Sequence, residues 1–378
     1  MGFDWSSITV LELANVLAGP SVGYFYAQLG ARVIKVESQQ GDVTRTWKLP
    51  TEDPNNDRPS YFSWINAGKE SVVLDYSSDQ DKSILQNIIA QSDLIISSFK
   101  PGDETKFGLT PQHLHAINPK AIVANISAYG KNDQRVGYDA LLQAESGFMY
   151  INGNSTADFH KMPVALIDVL AGHHLIQKTL LAFLDRATNS MGNTVEVSLW
   201  EVALQSLTNQ ASAWLNAGFN PQPMGSEHPN IVPYGSVFRD SKQQPFVIAI
   251  GSDHQFQLLS DILEFALPEH WISNANRVKN RNDIHALLQN LFSEKNREEW
   301  IQLLQAKKLP IAPVMTVTEA LTDSKVAAFI QKSGDFIHWR GPLQKEIPLA
   351  EPPRLGEHSA QIRQEFSSSN PRSAFHNS

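Results

Sequence analysis

In the stretch ALIDVLAGHH, Ala165 to His174, a single carboxylate, Asp168, stands between Leu166-Ile167 and Val169-Leu170. A carboxylate in such company loses hydration, and the loss is costly unless hydrogen bonds or a helix N-terminus compensate for it. Two roles answer that need. As an N-cap, Asp168 would accept from the first amides of a helix beginning at Val169, a common use of aspartate. As a nucleophile, it would be kept ionised in an apolar setting by the same helix terminus. Spacing alone favours the cap. The adjacent His173-His174 reads as packing or surface, because neighbours on a helix point about 100° apart and no carboxylate pattern accompanies them, so no metal site is expected.

Missing residues narrow the chemistry further. The chain has no Cys, which excludes disulfides, iron–sulfur clusters, thiolate zinc sites and a cysteine nucleophile. No G-x-G-x-x-G follows the first strand, and Walker, H-E-x-x-H and G-x-S-x-G patterns are absent.

The elements that must position Asp168 follow from periodicity. SSITVLELANVLAGPSVGYFYAQLGARVIKVES reads as strand, Gly-Pro turn, helix and strand. SVVLDY, DLIISSF and AIVANISAYG continue as strands, with helices in DQDKSILQNIIAQS and TPQHLHAIN between them. Such alternation predicts a doubly wound, mostly parallel sheet with ligands outside the carboxyl ends of its strands. A long helix then runs from about Val169 to near Gly192, and NTVEVSLWEVAL gives a strand and another helix. From about Phe219 the texture turns rich in Pro and Gly, and a smaller domain follows.

Composition describes a large soluble globular protein. The 378 residues are 42% hydrophobic and 19% charged, with a net charge of -8 and no basic block, so a nucleic-acid partner is not expected. The start lacks a cationic signal region and no run is long enough to span a membrane, which reads as a cytoplasmic chain with no membrane partner. The opening MGFDWS fits the loose myristoylation pattern, here taken as a chance match.

The successive segments LANVLAGP, LGARVIKVES, GDVTR, NAGKESVVLD, FKPG, VGYDALLQAESG, ALIDVLAG, HPNIVPYGSVF, LPIAPVMTVTEAL and PPRLGEHSAQI resemble those of the class III CoA-transferases, the family of formyl-, carnitine- and bile-acid-CoA transferases. The resemblance runs from Val10 to about Ile362. It implies that Asp168 is the nucleophile of an acyl-CoA:carboxylate CoA-transferase, working through aspartyl anhydride and aspartyl-CoA thioester intermediates. The substrates would be an acyl-CoA, with coenzyme A as its carrier, and a small carboxylic acid. The CoA cleft would be formed by Asn15, Val16, Leu17, Ala18, Leu74, Asp75, Ser98, Phe99 and Lys106, with Tyr138 near the thioester. Asp139 would support the site, and Gly225, Ser226, Glu227 and His228 would cover the nucleophile.

The resemblance also implies a fold. A Rossmann-like large domain (1–200) would be followed by a linker (201–223), an inserted α+β small domain (224–318), a second linker (319–340) and a return to the large domain (341–366); the composition of SSSNPRSAFHNS predicts a disordered tail (367–378). Two chains would interlock as a homodimer. Leu17 stands where the oxalate-linked members carry glutamine, Ser38 and Gln39 stand where they carry an arginine pair, and GSEHPNIVPYG replaces their tetraglycine loop, so oxalate is not favoured. The rival readings are a 2-methylacyl-CoA racemase, which would need a histidine where Tyr138 stands, and a CoA-binding protein without catalysis.

Overall fold

A computed structural model describes residues 3–341 and 347–367. Gly2 of the acylation-like pattern and the expected tail beyond Ser367 lie outside the described residues. The chain forms two compact units: residues 1–148, 162–218 and 327–378 make the first, and 149–161 with 219–326 make the second.

The first unit is built on six parallel strands: β1 (Thr9–Leu13), β2 (Arg32–Glu37), β3 (Lys69–Val73), β4 (Leu94–Ser97), β5 (Ile122–Ser127) and β6 (Thr194–Ser198). Their order is β3-β2-β1-β4-β5-β6. The expected parallel sheet is therefore present and Rossmann-like. Its central strands read as near-continuous apolar runs because both faces are covered. On one face, Val10, Leu94, Ile96, Ile122 and Ala124 pack with residues of α1 (Ala18–Gln28) and the long helix α4 (Leu166–Asn189). On the other, Leu11, Leu13, Ile34 and Val72 pack with Ile84 and Ile88 of α2 (Asp79–Gln91) and with Ile362 and Phe366 of α6 (Ser359–Phe366). Two shorter helices, α3 (Asp139–Glu145) and α5 (Leu199–Ser206), flank α4.

The strand β3 lies at the sheet's edge, and the C-terminal segment closes it. Ser71 N donates to His358 Nδ1 at 3.2 Å, His358 N donates to Ser71 O at 2.9 Å, and Val73 N donates to Ser359 Oγ at 3.0 Å. Edge polar groups that would invite pairing with another chain are thereby satisfied.

The second unit has its own core. Strands Tyr234–Arg239, Pro245–Ala249 and Ile311–Pro313 form an antiparallel sheet, and Phe238, Phe246, Phe256, Phe292 and Trp300 pack against it. Three details depart from the boundaries expected above. Helix α5 belongs to the first unit rather than to a linker, because Val202 and Ala203 are buried in its core. The hairpin Ile330–Ser333/Phe336–Trp339 does too: buried His338 meets Ser333 Oγ at 2.9 Å, and Trp339 O accepts from Tyr24 Oη and Gln28 Nε2. Residues 149–161 join the second unit, where Gly225 N donates to Gly153 O at 2.7 Å. Among the described residues no helix is long and apolar enough to cross a membrane.

Candidate active site

The strand order reverses direction between β1 and β4: from β1 the chain winds outward to β2 and β3, and from β4 it winds the other way to β5 and β6. Loops leaving the carboxyl ends of two such strands diverge, and the crevice between them is where doubly wound folds bind ligands. A cavity of about 380 Å³ occupies that position. Its lining contains Asn15, Val16, Leu17 and Ala18 after β1, Ser98 and Phe99 after β4, and Tyr138 and Asp168. Asn15 N donates to Ser98 Oγ at 3.3 Å, tying the two loops together. A larger cavity of about 750 Å³ borders it at Phe99 and Ser127, lined by Glu104, Glu196, Glu201 and several hydroxyls, and it contains neither Asp168 nor the first loop.

Helix α4 begins at Leu166, so Asp168 is its third residue and not its cap. The capping reading of Asp168 is corrected for a specific reason. The residue ahead of the helix, Ala165, makes no side-chain cap bond, and the job is done by Asp139, whose Oδ1 accepts from Ile167 N at 2.7 Å. Asp139 is buried and its Oδ2 accepts from Gln143 Nε2 at 2.6 Å. Gln143 Oε1 in turn accepts from Met162 N at 2.7 Å. This chain of bonds fixes the approach to α4 while leaving Asp168 free. Among the described residues no group donates a hydrogen bond to the Asp168 carboxylate, which is half-buried. Burial, reinforced by the negative charge of Asp139, raises its pKa to about 7. A carboxyl so placed is more basic than an ordinary one and titrates near neutrality.

Two further features hold α4 against the first loop. Gly172 sits where α4 crosses the start of α1; a Cβ there would lie 2.2 Å from Ser21 Oγ and 3.2 Å from Ala18 O. Tyr26 Oη of α1 donates to Thr179 Oγ1 of α4 at 2.8 Å.

Beneath the first loop lies a balanced buried set of three acids, Glu12, Glu37 and Asp42, and three bases, Lys35, Lys69 and Arg45. Glu12 bridges Lys35 at 3.0 Å and Lys69 at 2.8 Å, and Arg45 pairs with Glu37 at 2.7 Å. Burial favours the neutral amine at both lysines. At Lys69 burial wins, lowering its pKa to about 8. At Lys35 the charges of Glu12, Asp42 and Glu37 outweigh it and hold the ammonium form.

Three residues assigned above to the cleft do not line the cavity: Leu74 is buried in the core, Asp75 is exposed and accepts from Ser77 N and Oγ, and Lys106 is exposed with its ammonium 5.1 Å from the Phe107 ring centre. Lys100 and Arg135 line it instead. Arg135 stacks on Tyr129 at 3.8 Å and pairs with Asp133 and Glu145. Gly225, Ser226, Glu227 and His228 lie in the second unit, where Glu227 pairs with Arg281 at 2.8 Å. The sequence reading missed Gln143 and Asp42; a polar residue one helical turn after Asp139, and an Asp closing the turn after β2, are the only signals that point to them.

Comparison with known proteins gives a consistent picture. A family model described as CoA-transferase family III matches residues 6–368. A succinate–glutarate CoA-transferase of Agrobacterium fabrum is 30% identical over 96% of this chain and 95% of its own length. An acyl-CoA transferase of Fusarium pseudograminearum is likewise 30% identical, over 96% of this chain and 84% of its own. Among solved structures, a CAIB/BAIF family protein from Brucella suis superposes with a TM-score of 0.87 at 33% identity, covering 97% of this chain and all of that one.

Proposed function

This chain belongs to CoA-transferase family III, and from that premise we propose that it moves CoA between two carboxylic acids with Asp168 as the covalent nucleophile. The observation that carries the reading is the position of Asp168: it faces the cavity at the sheet's switch point, together with the loops after β1 and β4.

A carboxylate oxygen of Asp168 attacks the thioester carbonyl of the donor acyl-CoA; the carbon–sulfur bond breaks and CoA leaves as thiolate. The thiolate attacks the aspartyl carbonyl of the resulting anhydride, breaking the carbon–oxygen bond to the donor acid, which departs as carboxylate. An aspartyl-CoA thioester remains. The acceptor's carboxylate attacks that thioester and expels the thiolate again; the thiolate then attacks the acceptor's carbonyl, freeing Asp168 and forming the new acyl-CoA. No net proton moves. With no hydrogen bond to Asp168 among the described residues, its oxygens are available for attack, and its raised basicity strengthens it as a nucleophile. Lys100 and Arg135 supply the cations that a phosphate- and carboxylate-bearing pair of substrates calls for. The succinate–glutarate relative supports dicarboxylic acids as the first acceptors to try.

Family membership also supports a homodimer as the working assembly, with the second unit as an insertion. Leu181 and Leu184, one helical turn apart on α4, are both more than half exposed and would suit such burial. Light scattering at submicromolar loading should find a dimer; a folded monomer would remove this part.

The mechanism is tested by trapping. Incubation with an acyl-CoA and hydroxylamine should leave a hydroxamate on the peptide that contains Asp168, and Asp168→Ala should lose at least about 1,000-fold in turnover while still binding CoA. Wild-type turnover in that variant would overturn the assignment.

A further inference from the structure

Val16 is a β-branched residue at φ +73°. The left-handed region is one that such residues rarely occupy, and its cost is sustained only where the surroundings enforce it. Here the enforcing contacts are explicit. Val16 N donates to the Asp42 carboxylate, 3.2 Å to Oδ2 and 3.4 Å to Oδ1. Asp42 is fully buried; its Oδ1 also accepts from Thr44 N and Oγ1, and its Oδ2 lies 3.0 Å from Lys35 Nζ. Lys35 donates to the carbonyl of Ala14 at 2.7 Å and to Glu12 at 3.0 Å. The chain is thus gripped on both sides of Asn15, by Lys35 at the carbonyl of residue 14 and by Asp42 at the amide of residue 16. Past these two anchors the backbone turns into α1 and brings Asn15 to Ala18 to the cavity that Asp168 faces.

We propose that the buried Asp42–Lys35 pair is a positioning device for the reaction, holding Val16 left-handed so that the Asn15–Ala18 loop is already set when the CoA thioester arrives. The identity of the ligand rests on the transferase reading; the grip on the loop does not. Neither Asp42 nor Lys35 lines the cavity, and the pair acts through backbone geometry. Without the Asp42 acceptor, Val16 is free to return to negative φ. The left-handed penalty of a non-glycine residue corresponds to about a tenfold loss in the population of the set loop, and apparent affinity falls by the same factor.

The test uses the full-length protein and three variants. Asp42→Ala should raise the dissociation constant for free CoA, read by calorimetry, about tenfold. It should raise KM for acyl-CoA in step, with KM for the free acid unchanged. Val16→Pro removes the donor N–H and forbids the left-handed angle without touching a buried charge, and should weaken CoA at least as much, so it decides the matter if Asp42→Ala fails to fold. The double variant Asp42→Ala/Val16→Gly should recover most of the lost affinity, because glycine takes the left-handed angle without penalty. General damage to the core would not be rescued this way. Unchanged CoA affinity in Val16→Pro, or a double variant as weak as Asp42→Ala, would overturn the proposal. Calorimetry with free CoA needs no turnover, so a wild-type protein that exchanges no CoA between acids, yet shows the expected affinities, would sink the transferase reading alone.

Discussion

Asp139 Oδ1 accepts a 2.7 Å hydrogen bond from the amide of Ile167, the residue just ahead of Asp168. One buried carboxylate therefore does two things to another: it caps the helix that carries Asp168, and its charge adds to burial in raising the Asp168 pKa to about 7. The two effects can be separated, because asparagine keeps an acceptor for the amide and drops the charge.

In Asp139→Asn the acid limb of kcat/KM against pH should move down from its wild-type position near 7, while stability falls by about 1–3 kcal/mol because the oxygen that accepts from Gln143 Nε2 is replaced by a donor. On the proposed mechanism Asp168 attacks as the carboxylate, so activity in the wild type should rise with pH through about 7. A limb that stays in place would show that the charge of Asp139 does not reach the reacting carboxylate.

Asp168→Asn should be inactive and yet more stable than the wild type at pH 8. A carboxyl whose folded pKa lies above its ordinary 3.8 binds protons more tightly when folded, so its contribution to stability declines as pH rises from about 4 to 7. Removing the charge recovers on the order of 2–4 kcal/mol above pH 7, and the gain shrinks to near zero by pH 4. Urea titrations of both proteins at pH 5 and 8 measure it; equal stability at pH 8 would contradict the burial argument.

Gly172→Ala should lose about 1–3 kcal/mol through overpacking against Ser21 and Ala18, with a fall in kcat as α4 is pushed from the first loop. Adding Ser21→Ala removes the nearer clash and should restore part of both. Melting temperatures and kcat for the two variants check the pair; a Gly172→Ala protein with wild-type values would show that the crossing has slack.

Glu12→Gln should cost about 3–5 kcal/mol, since it strands Lys35 and Lys69, both fully buried, without the carboxylate they share. The loss should be smaller at pH 9 than at pH 7. Burial already lowers Lys69 to about 8, and without Glu12 it falls further and sheds its proton more readily. A loss independent of pH would place the damage in packing instead.

Much of this was legible in the sequence because the deciding signals are local. β-branched runs separated by helical periods give the parallel sheet, and the preference of such sheets for ligands beyond the carboxyl ends of their strands pointed to the loops where Asn15, Ser98 and Phe99 line the cavity. What was illegible depends on partners far along the chain. Asp168 resembled a cap because Leu166 and Ile167 fit either the end of an extended stretch or the first turn of a helix, and the true cap, Asp139, lies 28 residues before Ile167, whose amide it binds. Val16 gave no hint of a left-handed angle, since its β-branched side chain argues against one and the reason it is tolerated, Asp42, follows the next strand. Lys106 looked like a phosphate ligand by residue type, whereas Lys100 and Arg135 occupy the cavity.

The closure of β3 by the segment around His358 bears on how the protein is made. Strand β3 and helix α2 emerge from the ribosome nearly 300 residues before Ile362 and Phe366, which complete their core. At about 5–20 residues per second the nascent chain carries an open strand edge and an apolar patch over Ile84 and Ile88 for roughly 15–60 s. All of the second unit is synthesised within that interval. Until the segment around His358 is made, that edge is open to pairing with neighbouring chains, so the protein is most prone to misassembly while its second unit is being synthesised.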